Sequence, residues 1–407
     1  MDCDRFTVRK IRHPDGQISY WIFTPDSDVH RPSLKLLGKY TAATQQTYAY
    51  SLVDHLNWVH ANGKTPEAVT LQDLQRYMKG LTGQAEGVYG LAWRRPGQAA
   101  IGASAAGNVA TIVKAYYVHL AAAGTVVDSG LIDALSGGTA GHGFNRKGRS
   151  LEANPLSPKR GATRPRFLSD DVVQALFEPG VLTTARDIMI VTWLHDGGLR
   201  VGGLCGLRFS DLHLVHHHPC GQRQDPHIHI VGRDDNPNGA RAKNYSRCDE
   251  HLSKDGYIVN GTIRAVSPDM ISTLHSYLLD EFHLVQHLVD HEQVLVHGRG
   301  PTPAAPLTTN GVRKMLQRAC QRAGLGVRVL PHAFRHKAAA ALYAESDFNA
   351  ELVAQEFGWS SPAMVTDLYG KSANRHAMKF LAQAWESTAR PPAERHLHPT
   401  SPEVAER

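Results

Sequence analysis

The chain has 407 residues, a length that points to two or three folded units, with two the economical reading. Its 42% hydrophobic and 20% charged residues are a globular composition, no window is apolar for long enough to cross a bilayer, and the mixed-charge opening MDCDRFTVRKIRHPDG does not read as an export signal; a membrane or exported protein is not expected. A net charge of +6 leans toward polyanions, and five scattered cysteines (Cys3, Cys205, Cys220, Cys248, Cys320) suit a reducing compartment rather than a disulfide framework, so a cytoplasmic location is expected.

Residues 1–36 read as an N-terminal extension holding a small hairpin, with strand-like VRKIR and ISYWIF flanking the turn HPDGQ. Tyr48, Leu52, Leu56 and Val59 then recur at spacings of three and four, which predicts a helix ending near Gly63. A short helix over 70–81 and a longer one through SAAGNVATIVKAYYVHLAAAG follow, so residues 37–134 are expected to form a helical domain. From 135 to 166 the composition shifts to Gly, Pro, Ser and Arg, which cannot bury a core and reads as a linker. It carries Arg146, Lys147, Arg149, Lys159, Arg160, Arg164 and Arg166 against one acid, Glu152. That surplus fits either a solvated hinge or a basic strap lying on phosphates.

Residues 167–388 read as a second domain. It opens with amphipathic helices LSDDVVQALF and TTARDIMIVTWLHDGG, each preceded by a capping Ser or Thr. GLRVGGLCGLRFSDL, a His-rich turn, strand-like HIHIVGR, a NPNG turn and strand-like VNGTIRAVS come next, and helices resume at Pro268. Residues 389–407 are polar and Pro-containing and are expected to be a disordered tail. The expected fold class is mainly α, with a small β-sheet or hairpin in the second domain.

Four short motifs of the second domain occur in one order. Gly197 and Gly198 end a helix and Arg200 starts the next; NPNGARAK sets Lys243 after a hairpin tip; in LPHAFRH, Pro331 opens a helix with His332 and Arg335 on one face; and in FGWSSPAMVTDLYGK, Trp359 precedes Tyr369. This order resembles the catalytic domain of the tyrosine recombinases, or phage integrases: an arginine at a GLR-type helix start, a hairpin lysine, HxxR, Gly-Trp and a nucleophilic tyrosine. The resemblance spans about residues 165–386, and the helical segment 40–125 resembles the family's core-binding domain.

The resemblance implies a two-domain C-shaped clamp that closes on double-stranded DNA and a cofactor-free strand-transfer reaction with Tyr369 as the nucleophile. Arg200 and Arg335 would cage the phosphate with fork-shaped donors, Trp359 would donate from its indole beside them, and Lys243 would protonate the leaving oxygen, with Lys254 as its competitor. His332 would take the tyrosine's proton or hydrogen-bond the phosphate. Where the family often has an acidic residue three positions after the first arginine, this chain has Gly203. Lys35, Lys39, Lys114 and the linker cations are candidate DNA-backbone contacts.

Met378, Leu381 and Trp385 lie on one face of a C-terminal helix that would pack on its own domain or dock on a neighbour in a homotetramer on DNA, with accessory DNA-bending proteins as further partners. His213, His216, His217, His218, His227, His229 and His251, with Cys220 and Cys248, match no regular finger or ribbon spacing, and no metal is assigned. The rival readings are a DNA-binding relative that no longer recombines, and a metal-dependent nuclease or zinc-containing regulator built on the His-rich segment.

Overall fold

The computed structural model describes residues 5–83, 93, 99–136, 154–158, 167–243 and 251–370. The chain divides into two compact units, residues 1–163 and 164–407.

The first unit begins with an antiparallel hairpin, β1 (Thr7–Arg12) against β2 (Ile18–Phe23), registered from Thr7↔Phe23 to Arg12↔Ile18. Gly16 supplies the positive φ of its turn. Helices α1 (Arg31–Leu37), α2 (Ala42–Ala61), α3 (Leu71–Leu81), α4 (Ala103–Ala122) and α5 (Ser129–Ser136) follow. A reciprocal capping box between Thr70 and Asp73 starts α3, and Lys64 reaches the same carboxylate at 2.6 Å. Leu52, Leu56, Trp58, Tyr77, Tyr116 and Tyr117 form the core.

Two boundaries differ from the sequence expectation. Tyr20 and Ile22 of the hairpin are buried in this same core, so the opening segment is part of the unit and not an extension of it. At the other end, the Asn154 side chain donates to the Ala110 carbonyl at 2.9 Å and Leu156 is buried against the helices. One apolar residue with a seat is enough to draw a polar stretch onto a core. The expected linker cations Arg146, Lys147, Arg149, Lys159, Arg160, Arg164 and Arg166 lie outside the described residues, as do Met378, Leu381, Trp385 and the expected tail.

The second unit runs α6 (Asp170–Phe177), α7 (Ala185–His195), α8 (Val201–Cys205), then strands β3 (Leu212–His213), β4 (His227–Ile230) and β5 (Thr262–Ala265). The strands form one antiparallel sheet in the order β3-β4-β5. Helix α9 (Pro268–Tyr277) passes through a π turn at Leu278–Phe282 into the single turn α10 (His283–Val285). Helices α11 (Thr309–Arg322), α12 (Pro331–Glu345) and α13 (Ala350–Phe357) and a helical run over 362–370 complete it.

Helix α7 was expected to be amphipathic, but Met189–Leu194 are buried without a break, because α8, α9 and α12 surround it. Its Trp193 is fully buried with the indole N–H donating to the Met270 carbonyl at 2.8 Å, which removes the polar penalty of that burial. Helix α7 therefore fixes the turn that follows it, and that turn organises the site. Among the described residues no helix is long and apolar enough to cross a membrane.

Candidate active site

The carbonyls of the turn after α7 and of the C-terminal end of α13 are met by two buried guanidiniums. Arg335, on α12, donates to the Gly198 carbonyl at 2.9 Å and to the Phe357 carbonyl. Arg264, on β5, donates to the Gly197 carbonyl at 3.1 Å and, from Nη1, to the Glu356 carbonyl at 2.7 Å. Carbonyls at a helix C-terminus carry partial negative charge, so they are suited to hold cations. Glycine is required for this approach. Gly198 has φ +55°, and a Cβ there would lie 2.6 Å from the Phe357 ring.

Arg200 caps α8 and donates to the Lys243 carbonyl at 2.8 Å, tying the loop after NPNG to the turn. Arg200, Lys243, Arg264 and Arg335 line one cavity with Gly203 and Thr262. Lys243 is exposed at this cavity, whereas Lys254 stands in the tight turn that joins Ser253 to Tyr257. An acid at 203 has little room, since a Cβ there already comes within 3.1 Å of the Ile230 side chain. The carboxylate is supplied from another element: Glu356, at the end of α13, pairs with Arg264 at 3.1 Å.

Helix α13 ends in left-handed Gly358, and Trp359 follows, its ring 5.3 Å from the Arg335 guanidinium and near-parallel to the Tyr369 ring at 5.9 Å. Tyr369 is buried, and its hydroxyl lies 2.8 Å from His336 Nδ1. His332 stands one turn earlier on α12, exposed, with its ring edge-on to that of His336 at 4.3 Å. Among the described residues, an imidazole within hydrogen-bond reach of the tyrosine is His336, where the sequence pointed to His332 as the proton acceptor or a hydrogen-bond donor to the phosphate. Both lie on one face of α12, four residues apart, so HAFRH offers either imidazole to the same neighbourhood.

The electrostatics follow from burial and crowding. Burial, then Arg200 and Arg264, lowers the Arg335 pKa; burial, then Arg335 and Arg200, lowers that of His332. Burial pushes the Tyr369 phenol up to about 12 and, with His332 and Arg335, His336 down to about 4. At neutral pH the pair is thus a neutral phenol beside a neutral imidazole, in the same unit as the small cavity lined by Arg200, Lys243, Arg264 and Arg335. Sequence reasoning missed Arg264, Glu356 and His336. Arg264 had one signal: it is the only charge in the strand TIRA.

Behind this cavity the sheet carries a second cluster. His213, Cys220, His227 and His229 are buried with one potential ligand atom from each lying within 4.8 Å of all the others. The sequence assigned no metal because their spacing is irregular along the chain. The fold makes that spacing irrelevant, since strand pairing sets His213 directly opposite His227.

A tyrosine hydroxyl on an imidazole, and guanidiniums and an amine gathered at a cavity of the same unit, are groups of the kind that phosphoryl transfer uses. Residues 264–376 match the phage integrase family, and over that stretch the chain is similar to its members. Tyrosine recombinase XerA of Thermococcus kodakarensis is 28% identical over 245 residues, covering 59% of this chain and 71% of that protein. Transposase A from transposon Tn554 of Staphylococcus aureus is 26% identical over 162 residues, 40% of this chain and 37% of the transposase. The chain thus matches little more than a third of that relative's length. In fold, the chain is similar to the transposon Tn1549 integrase in complex with transposon right end DNA, at a TM-score of 0.51 and 14% identity over 86% of this chain and 99% of that one.

Proposed function

We propose that this protein is a site-specific DNA recombinase of a mobile element, cutting and rejoining duplex DNA through a 3′-phosphotyrosyl link to Tyr369. One observation carries the reading: the Tyr369 hydroxyl is paired with His336 in the same unit whose Arg200, Lys243 and Arg335 share a cavity. In cleavage the Tyr369 oxygen bonds to phosphorus as the bond from phosphorus to the 5′ oxygen breaks. The phenol proton passes to His336 Nδ1, and the 5′ oxygen takes a proton from Lys243 Nζ. Arg200 and Arg335 neutralise the charge that builds on the non-bridging oxygens, with His332 and Trp359 as further donors. The phosphotyrosine conserves the energy of the broken bond, so the reverse attack by a 5′ hydroxyl rejoins strands with no nucleotide consumed.

Exposed Lys35 on α1, exposed Lys39 just beyond its end and half-buried Lys114 on α4 fit backbone contacts on the first unit. Burial, then Lys39 and Lys35, lowers the His119 pKa, which places both lysines in the electrostatic neighbourhood of α4. The family resemblance extends the reading to four protomers assembled on DNA through the segment beyond Tyr369, and to a cytoplasmic site of action. The test is to incubate the full chain with nicked suicide substrates drawn from DNA flanking its gene and look for a denaturation-resistant adduct. The expected result is an adduct that Tyr369→Phe abolishes; an adduct that survives this substitution refutes the nucleophile.

A further inference from the structure

The three-stranded sheet of the second unit has two unlike faces. In the β3-β4-β5 register, Ile228 pairs with Leu212 on one side and Arg264 on the other, and Ile230 pairs with Thr262. Directly paired and alternate residues share a face, so this face serves the core and the arginine cavity. The opposite face presents His213, His227 and His229. A face made of imidazoles should lie in water, yet all three are buried, with His213 only 2% exposed.

What covers them is the connection between β3 and β4, which brings Cys220 over the strands. Its Sγ lies 3.2 Å from His227 Nε2 and 3.9 Å from His229 Nε2. Both Nδ1 atoms are already engaged, His227 with the Asp225 carbonyl at 2.7 Å and His229 with the Asn260 carbonyl at 2.8 Å. A carbonyl accepts only from N–H, so the proton of each neutral ring is on Nδ1 and each Nε2 directs a lone pair toward Cys220. Carbonyl-held imidazoles of this kind are the usual second layer of a metal site. His213 completes the group. Neither of its ring nitrogens has a hydrogen bond of normal geometry, and a weak contact to the Ser210 backbone is the least of the influences on the ring. A buried imidazole lacking such bonds, beside a thiol and two aimed lone pairs, lacks one shared partner.

We propose that His213, Cys220, His227 and His229 bind one zinc ion as a closed, four-coordinate structural site. Bond lengths of about 2.0–2.1 Å to nitrogen and 2.3 Å to sulfur put tetrahedral ligands about 3.3–3.6 Å apart, so the wider separations close and the Cys220–His227 separation opens slightly. One thiolate with three imidazoles in a tetrahedron favours zinc over the harder or square-planar ions. The site has no open position for a substrate and lies on the sheet face away from Arg264. Its function is to rivet the connection from β3 to β4 onto the sheet, holding the strand that carries Arg264 and the loop that carries Lys243. This assignment does not depend on the recombinase reading, because it concerns metal content alone.

The full chain, purified without a metal-affinity step and dialysed, is expected to hold about one zinc per molecule by elemental analysis. Cys220→Ser and His229→Gln each reduce this at least tenfold, while exposed His216→Ala leaves it unchanged. Should the ligand variants fail to fold, the wild-type chain decides. Stripped with a chelator and given cobalt, it should show the visible bands of tetrahedral cobalt with a thiolate charge-transfer band, and regain the thermal midpoint lost on stripping. Wild-type protein with no zinc, no tetrahedral cobalt spectrum and a midpoint indifferent to chelator overturns the proposal. Full zinc retention in Cys220→Ser overturns the ligand set.

Discussion

His336 and Tyr369 form a donor and acceptor pair 2.8 Å apart, and burial separates their proton affinities in opposite directions, the phenol up to about 12 and the imidazole down to about 4. The hydroxyl is therefore protonated and the imidazole neutral near pH 7, the states that the proposed cleavage requires of a nucleophile and its base. Removing a positioned base costs about 10²–10⁴ in rate. His336→Ala should slow adduct formation on a suicide substrate by at least about 100-fold with DNA binding unchanged in a gel-shift titration. A larger loss in His332→Ala than in His336→Ala would transfer the role to His332.

On the proposed reaction, the same pair should set the pH dependence of cleavage. A base whose pKa is held near 4 stays unprotonated far below neutrality, so the acid limb belongs near that value. Single-turnover adduct formation should be equal within a factor of about two at pH 7.5 and pH 5.5, where an ordinary histidine of pKa about 6.5 would lose most of its activity. A limb at the ordinary value rules out His336 as the acceptor.

Arg200 and Arg335 should respond differently to the same substitution. Arg335 is 2% exposed and holds the Gly198 and Phe357 carbonyls, so Arg335→Ala leaves buried acceptors unpaired and should cost about 2–4 kcal/mol of stability as well as cleavage. Arg200 is only half-buried, with one bond to a backbone carbonyl. Arg200→Ala should keep the thermal midpoint within a few degrees while cleavage falls at least about 100-fold. Equal destabilisation by both would show Arg200 to be structural.

Local signals in this chain are legible from the sequence, and contacts between distant elements are not. Helices with capping signals and 3.6-residue periodicity were readable, since both are local: Ser169 and Thr184 cap α6 and α7 as expected. The order of GLR, HxxR, Gly-Trp and Tyr was readable because each motif sits at an element boundary. The partners of those residues were not readable. Arg264 meets Gly197, and Glu356 meets Arg264, through contacts between elements far apart in the chain. The choice between His332 and His336 depends on how the run 362–370 packs against α12. The buried imidazole cluster arises from strand register, which irregular linear spacing hides.

The first unit should be acid-labile for a reason separate from the site. His55 is fully enclosed, 2.9 Å from the Tyr117 hydroxyl, with its pKa pressed by burial to about 3, and His30 is similarly lowered to about 4. Folded pKa values below the unfolded one mean that the unfolded chain binds more protons in this window. Stability is then full above about pH 6.5 and is lost as pH falls from there toward 4, by a few kcal/mol in all. Hydrogen exchange in α2 and α4, followed by mass spectrometry, should show protection falling between pH 6.5 and 4.5 after correction for intrinsic rates. Protection that does not change over this interval contradicts the neutral, buried state of His55.

The basic surface of the first unit makes the last prediction. Exposed side chains such as Lys35 and Lys39 contribute little to stability, so their loss should be silent in folding. If Lys35, Lys39 and Lys114 each neutralise a phosphate, replacing all three by glutamine removes three released counterions. The slope of log K against log salt should then become shallower by about 2.7. Binding should weaken alike on specific and unrelated duplexes, because phosphate contacts carry no sequence information. Fluorescence anisotropy over a salt series measures both quantities. An unchanged slope would remove these lysines from the DNA surface, and a loss confined to the specific duplex would mean that they read bases.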